Sequence, residues 1–123
     1  MRVIRIRLLT AISMVAGLIL TTPYAMAHAR PKVMVPAPES TVASPPTISV
    51  TFSEPVEPKF SSLTVTDEQG KKYNTASSAP LPNDPKTLTL GLPTLQPGGY
   101  LVHWISVAAD GHRMEGEYKF IVK

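Results

Sequence analysis

The chain contains no cysteine among its 123 residues. This absence excludes disulfide bonds, thiolate metal sites and thiol nucleophiles. Long helices are disfavoured as well, because twelve prolines follow residue 27 and leave no long interval free of them. A small domain of this composition must therefore be stabilised by a core of short elements, without covalent cross-links.

Net charge is also absent once the N-terminal segment is set apart. Arg2, Arg5 and Arg7 account for the whole formal charge of +3, and residues 28–123 carry nine basic and nine acidic side chains. A balanced chain without a basic cluster does not favour nucleic acid or anionic lipid as a partner. We therefore expect no nucleic-acid binding and no membrane insertion of residues 28–123.

The first 27 residues have the organisation of a secretory signal peptide. Their three arginines precede an apolar stretch, residues 8–20. At 13 residues this stretch is short for a membrane-spanning helix, which needs about 20. Ala25 and Ala27 occupy the −3 and −1 positions of a signal-peptidase site. We predict that cleavage removes residues 1–27 and that residues 28–123 form one exported domain. An uncleaved N-terminal anchor is the alternative.

Between the prolines lie short segments in which apolar and polar residues alternate, which is the pattern of β-strands. Their number and spacing predict an all-β domain, a seven-stranded antiparallel Greek-key β-sandwich or barrel. Val102 and Trp104 are expected to face the core, residues 76–85 to form a surface loop and residues 92–98 to form a crossover. The candidate strands are Lys32–Val35, Thr47–Ser53, Ser62–Asp67, Lys71–Asn74, Lys86–Gly91, Gly99–Ala108 and Glu117–Val122.

Cleavage after Ala27 would give His28 a free α-amine beside its imidazole, and these two nitrogens can chelate one metal ion. The only other motif with comparable chemistry is Asp110-Gly111-His112. Its two polar side chains can lie on the same side of the chain, and Gly111 permits a tight turn. Together these groups supply three nitrogens and one carboxylate oxygen, a set that suits Cu(II). Taken alone, the motif is also explained as an ordinary polar turn.

Other polar and sulfur-containing residues are expected to have structural roles. His103 alternates with the core-facing residues of its strand and is predicted to be a partly exposed strand histidine, away from the metal. Met34 and Met114 are expected to pack in the core or at its rim. Arg113 and Glu115 are explained equally well by a polar rim around a metal and by a solvated turn.

Three segments, together with His28 at a mature N-terminus, form a pattern found in a known family. The segments are Thr51-Phe52-Ser53-Glu54, Gly99-Tyr100-x-x-x-Trp104 and Val107-x-Ala109-Asp110-Gly111-His112-x-x-x-Gly116. This pattern resembles the CopC family of periplasmic copper-resistance proteins, over essentially the whole of residues 28–123. The resemblance implies a cupredoxin-like β-fold, a periplasmic location and Cu(II) binding through an N-terminal histidine brace.

Carried over by position, the resemblance implies that His28 binds one copper ion through its α-amine and Nδ1, while Asp110 and His112 complete the equatorial plane. Glu54 resembles a carboxylate near the copper and would take an axial or outer-sphere role. A solvated charge at a strand end is the alternative for Glu54. The Met-rich Cu(I) loop of some family members has no counterpart, since residues 60–99 contain neither methionine nor histidine. We therefore expect a single Cu(II) site and no Cu(I) site.

The leading interpretation is a monomeric Cu(II)-binding protein, not an enzyme, that buffers copper, contributes to copper resistance or delivers the ion. The resemblance implies an inner-membrane copper transporter of the CopD type as the partner. One alternative is a brace-type copper oxidase or monooxygenase, although an equatorial aspartate would occupy the position where oxygen binds. The other alternative is an exported β-sandwich interaction module whose histidines are incidental.

Overall fold

The computed structural model describes residues 28–123, which form two β-sheets of four strands each. The strands are β1 (Pro31–Val35), β2 (Thr41–Val42), β3 (Thr47–Phe52), β4 (Ser62–Asp67), β5 (Ala79–Leu81), β6 (Asp84–Gly91), β7 (Gly98–Val107) and β8 (Arg113–Val122). One sheet has the order β1-β3-β6-β5 and the other the order β2-β8-β7-β4. The predicted signal peptide, residues 1–27, lies outside the described residues. Within residues 28–123, no helix is long and apolar enough to cross a membrane.

The hydrophobic core lies between the two sheets and follows the two-residue period of the sequence. Ile48, Val50 and Phe52 alternate with more exposed residues along β3, and all three are buried. Val102 and Trp104 face the core from β7, as predicted. The Trp104 ring meets the Phe52 ring edge-on, with 5.9 Å between their centroids. The all-β sandwich predicted from the sequence is therefore confirmed.

The domain has eight strands where seven are predicted, because two short edge strands carry weak sequence signals. β2 has only two residues and runs parallel to β8, so the sandwich is not wholly antiparallel. β5 lies within residues 76–85, where the sequence predicts a surface loop, and it pairs with β6 alone. An edge strand tolerates Pro80 because its outward backbone groups need no partner in the sheet.

The predicted strand Lys71–Asn74 is reduced to a single bridge between Thr66 and Lys72. The turn before it is present, since the Asp67 amide donates to the Lys71 carbonyl at 3.0 Å. Beyond it the chain crosses to the other sheet, where the Thr75 amide donates to the last residue of β6. This crossing stops the strand from continuing along β4.

Gly116 in β8 is a point of close approach between this strand and the Trp104 ring. A Cβ atom at residue 116 would lie 2.6 Å from Cζ2 of Trp104. Because the ring is held in a packed core, replacing Gly116 with valine is expected to destabilise the fold by about 1–3 kcal/mol. Urea unfolding should show a lower midpoint at an unchanged slope. The control Glu117→Val lies on the exposed face of the same strand, and equal midpoints for the two variants would contradict the close packing.

Candidate metal centre

The segment that precedes β1 is held by hydrogen bonds from both sheets. The Ser53 hydroxyl, just beyond β3, donates to the His28 carbonyl at 3.0 Å and accepts from the Arg30 amide at 3.0 Å. The Ser53 amide donates to the Arg30 carbonyl at 2.8 Å. The Ser106 hydroxyl of β7 donates to the Ala29 carbonyl at 2.7 Å, and Ala29 is fully buried. His28 therefore has a defined place although it is the first described residue.

The turn between β7 and β8 presents Asp110 and His112. The Ala108 amide donates to the His112 carbonyl at 3.1 Å, and the Gly111 amide donates to the Ala108 carbonyl at 2.9 Å. Gly111 has a φ of 85°, in the left-handed region that favours glycine, so the tight turn expected there is present. Oδ1 of Asp110 accepts from the His112 amide at 3.0 Å, and Oδ2 lies 2.8 Å from His112 Nδ1. The turn itself brings the two side chains together.

His28 lies against this turn. Its ring centroid is 5.0 Å from that of His112, and the rings meet edge-on at 86°. Hydrogen bonds from the side chain and the amide of His112 lower the pKa of Asp110, and the positive charges that His112 and His28 can carry lower it further. Asp110 is therefore an ionised acceptor close to two imidazoles. The three residues that the sequence singles out as ligands lie together.

These side chains do not form a closed cage. The side chains of His112 and Asp110 are 52% and 36% exposed. Among residues 28–123, no group of three or more histidine, cysteine, aspartate or glutamate side chains is arranged to hold a metal ion. Two of the expected ligands, His112 and Asp110, bond to each other through His112 Nδ1 and the Asp110 carboxylate. Another expected donor is the backbone nitrogen of His28. It is part of a peptide bond in the 123-residue chain and becomes an amine only after cleavage.

Glu54 is exposed and lies one residue beyond Ser53, whose hydroxyl contacts the His28 carbonyl. This position is next to the segment that carries His28. Its axial or outer-sphere role stays a prediction.

His103 lies on the outer face of the β7–β8 sheet and is not part of this group. Its Nε2 is 3.1 Å from Oε2 of Glu115, and Arg113 lies 3.3 Å from the same carboxylate. The hydrogen bond from His103, with the charge of Arg113, lowers the pKa of Glu115. Arg113 and Glu115 therefore belong to a surface ion-pair cluster. Met34 and Met114 are partly buried and pack against the core, as predicted.

Ser106 and Ala29 were not indicated by the motifs, although both contribute to the position of His28. The feature of the sequence that could have indicated this contact is Ser106 itself. It lies on the inner face of β7, where the other positions are Tyr100, Val102 and Trp104, and it is fully buried. A buried serine among large apolar residues indicates a hydrogen-bond partner, because an unpaired buried hydroxyl is costly.

The sequence of this chain is similar to those of known copper resistance proteins. The CopC domain family model matches residues 32–123. Copper resistance protein C of Escherichia coli is 37% identical over 120 residues, which cover 87% of this chain and 91% of the relative. Protein YobA of Escherichia coli strain K12 is 38% identical over 106 residues, which cover 85% of this chain and 86% of the relative.

Two solved structures have the same fold. The crystal structure of CopC from Methylosinus trichosporium OB3b has a TM-score of 0.73 and 33% identity, covering 78% of this chain and 94% of that one. The structure of PcoC, a methionine-rich copper resistance protein from Escherichia coli, has a TM-score of 0.69 and 35% identity, covering 79% of this chain and all of the other.

The fold and the gathered side chains define a class: a small two-sheet β-sandwich with imidazole and carboxylate groups beside one hairpin turn. The family model spans nearly all of the described domain, and the copper resistance relatives match over most of their length. The chain belongs to the CopC family of copper resistance proteins.

Proposed function

We propose that this protein binds Cu(II) in the periplasm and serves in copper buffering, resistance or delivery, as a binding protein and not as an enzyme. Copper would be held by a histidine brace, defined as the α-amine and Nδ1 of His28, with Asp110 and His112 as the other ligands. The brace requires cleavage after Ala27, which creates the amine. One copper ion is assigned to each mature chain.

The observation that carries this proposal is the contact between His28 and the β7–β8 turn. The two imidazole rings lie 5.0 Å apart, although their residues are at opposite ends of the domain sequence. An ionised carboxylate lies 2.8 Å from the second imidazole. Nitrogen and carboxylate donors suit the tetragonal geometry that Cu(II) prefers. The amine released by cleavage would add the third nitrogen.

The same donors argue against a Cu(I) site in this chain. Cu(I) prefers thiolate and thioether ligands. The chain has no cysteine, and the two methionines beyond residue 27, Met34 and Met114, pack against the hydrophobic core. The methionine-rich description of PcoC is therefore not carried over to this protein.

Delivery requires a site that a partner can reach. His112 and Asp110 are both substantially exposed. An open depression beside their turn is lined in part by Phe60, Val107 and Gly111, and Phe60 is 67% exposed. On the family resemblance, we propose a monomeric carrier whose partner is an inner-membrane copper transporter of the CopD type.

A titration of the chain that begins at His28 with Cu(II), followed by electron paramagnetic resonance, tests the proposed function. We expect one equivalent to bind, with a tetragonal spectrum that shows coupling to nitrogen. A second tight equivalent, or a spectrum without nitrogen coupling, would contradict the proposal. Sustained oxygen consumption with a reductant would identify a brace-type oxidase instead.

Replacing Glu54 with glutamine is expected to weaken Cu(II) binding by about tenfold, as loss of an outer-sphere partner does at other metal sites. The reason is that a carboxylate beside the brace can orient the amine or a bound water. Competition against a chelator measures the change. Glu117→Gln, on the exposed face of β8, is the control. Equal affinities for the two variants would assign Glu54 to a solvated strand end.

A further inference from the structure

Two serine residues form hydrogen bonds with four backbone groups of the first three described residues. The hydroxyl and the amide of Ser53 pair with three backbone groups of His28 and Arg30 at 2.8–3.0 Å. The hydroxyl of Ser106 donates to the Ala29 carbonyl at 2.7 Å. The carbonyls of all three residues, 28 to 30, therefore accept hydrogen bonds. The donors come from both sheets, because Ser53 follows β3 and Ser106 lies in β7.

Burial makes the Ser106 contact specific. Ser106 and Ala29 are both fully buried, so the hydroxyl and the carbonyl have no access to water while the segment is in place. A carbonyl that loses its partner in such a site is strongly disfavoured. It recovers a partner if the segment lifts from the sandwich into water. The Ser106 hydroxyl thus favours one position of the segment over a lifted, solvated one.

We propose that Ser53 and Ser106 form a clamp that positions His28 against the β7–β8 turn before copper arrives. Both serines are positioning residues, since they hold the backbone that carries the ligand. The consequence for copper rests on the proposed function: cleavage would release an amine that is already held near Asp110 and His112. Preorganisation of this kind reduces the conformational entropy that binding would otherwise remove. The clamp therefore tightens binding without contacting the metal.

The clamp is tested first without copper, in the chain that begins at His28. Nuclear magnetic resonance should detect a ring-to-ring Overhauser effect between His28 and His112, and slow hydrogen exchange of the Arg30 amide. Ser106→Ala and Ser53→Ala should each weaken both signals, and the double variant should abolish them. Ser53→Thr keeps a hydroxyl and should retain them. Ser44→Ala is the control, since it removes a serine hydroxyl that accepts a hydrogen bond from the Leu95 amide in a different loop.

Copper provides the second readout. Each alanine substitution in the clamp is expected to weaken Cu(II) affinity by about three- to tenfold, the factor that one net hydrogen bond supports. The ligand set should stay the same, so the spectrum at saturation should not change. Unaltered ring contact in the alanine variants would overturn the clamp, and so would a copper affinity equal to that of Ser44→Ala in a chain that binds copper. If the unsubstituted chain bound no copper while the alanine variants still lost the ring contact, the clamp would stand and the copper function would fall.

Discussion

Replacing His112 with alanine in the chain that begins at His28 is expected to reduce Cu(II) affinity by more than about 100-fold, since loss of an outer-sphere partner alone costs roughly 10–100-fold. His112 would be a direct ligand, and no other histidine is available to replace it at the turn. The fold should be little affected because the side chain is 52% exposed. Competition against a chelator of known affinity measures the loss, and urea unfolding checks the stability.

His103→Ala is the matched control for this substitution. Both histidine side chains are accessible to solvent, 36% for His103 and 52% for His112, but His103 bonds to Glu115 on the outer face of the sheet and lies outside the proposed brace. Copper affinity should be unchanged in the control. Equal losses in the two variants, or no loss in either, would contradict the assignment of His112 as a ligand.

Lowering the pH from about 6 to about 5 is expected to weaken Cu(II) binding several-hundredfold, because up to three nitrogen-bound protons must be displaced and each contributes up to about tenfold per pH unit. The nitrogens are the α-amine and the imidazole of His28 and the imidazole of His112. Asp110 adds little to the pH dependence of copper affinity in this range. Hydrogen bonds from His112 lower its pKa, so the carboxylate is already ionised in this range and is protonated only in stronger acid.

The number of displaced protons can be counted by comparing variants across the same pH range. His28→Ala keeps the α-amine and loses one imidazole, so its affinity should be lower and its pH dependence shallower by up to about tenfold per pH unit. Titrations at several pH values would give both slopes. An affinity that stays flat between about pH 7 and pH 5 would contradict this donor set.

Alternation of apolar and polar residues was sufficient to predict the sandwich and most of its long strands, but β8 begins at Arg113, four residues before the predicted start at Glu117. The β3 segment and the core-facing residues of β7 have a clear two-residue period, and burial follows that period in the structure. The short edge strands could not be predicted in this way. β2 has two residues, and β5 contains a proline, so neither is long enough or regular enough to give a periodic signal. Their pairing depends on the position of β8 and β6, which is a tertiary effect.

The side chains of the candidate site could be predicted because few residues in the chain can bind a metal. Three histidines and a cleavage motif limit the choice, and the Asp110-Gly111-His112 motif supplies the carboxylate. Only the fold brings these side chains together, as the 5.0 Å distance between the ring centroids of His28 and His112 shows. The supporting contacts were not accessible from motifs, because Ser106 and Ala29 are separated by 77 positions.

Cu(II) binding by the chain that begins at His28, compared with a chain carrying one extra residue before it, tests the central claim most directly. The extension leaves every side chain in place and converts the His28 nitrogen from an amine into a peptide group. Electron paramagnetic resonance would report the donors in both chains. The brace predicts a tight, tetragonal, nitrogen-rich site in the first chain and its loss in the extended one. The same spectrum and the same affinity in both chains would remove the terminal amine from the site and contradict the brace.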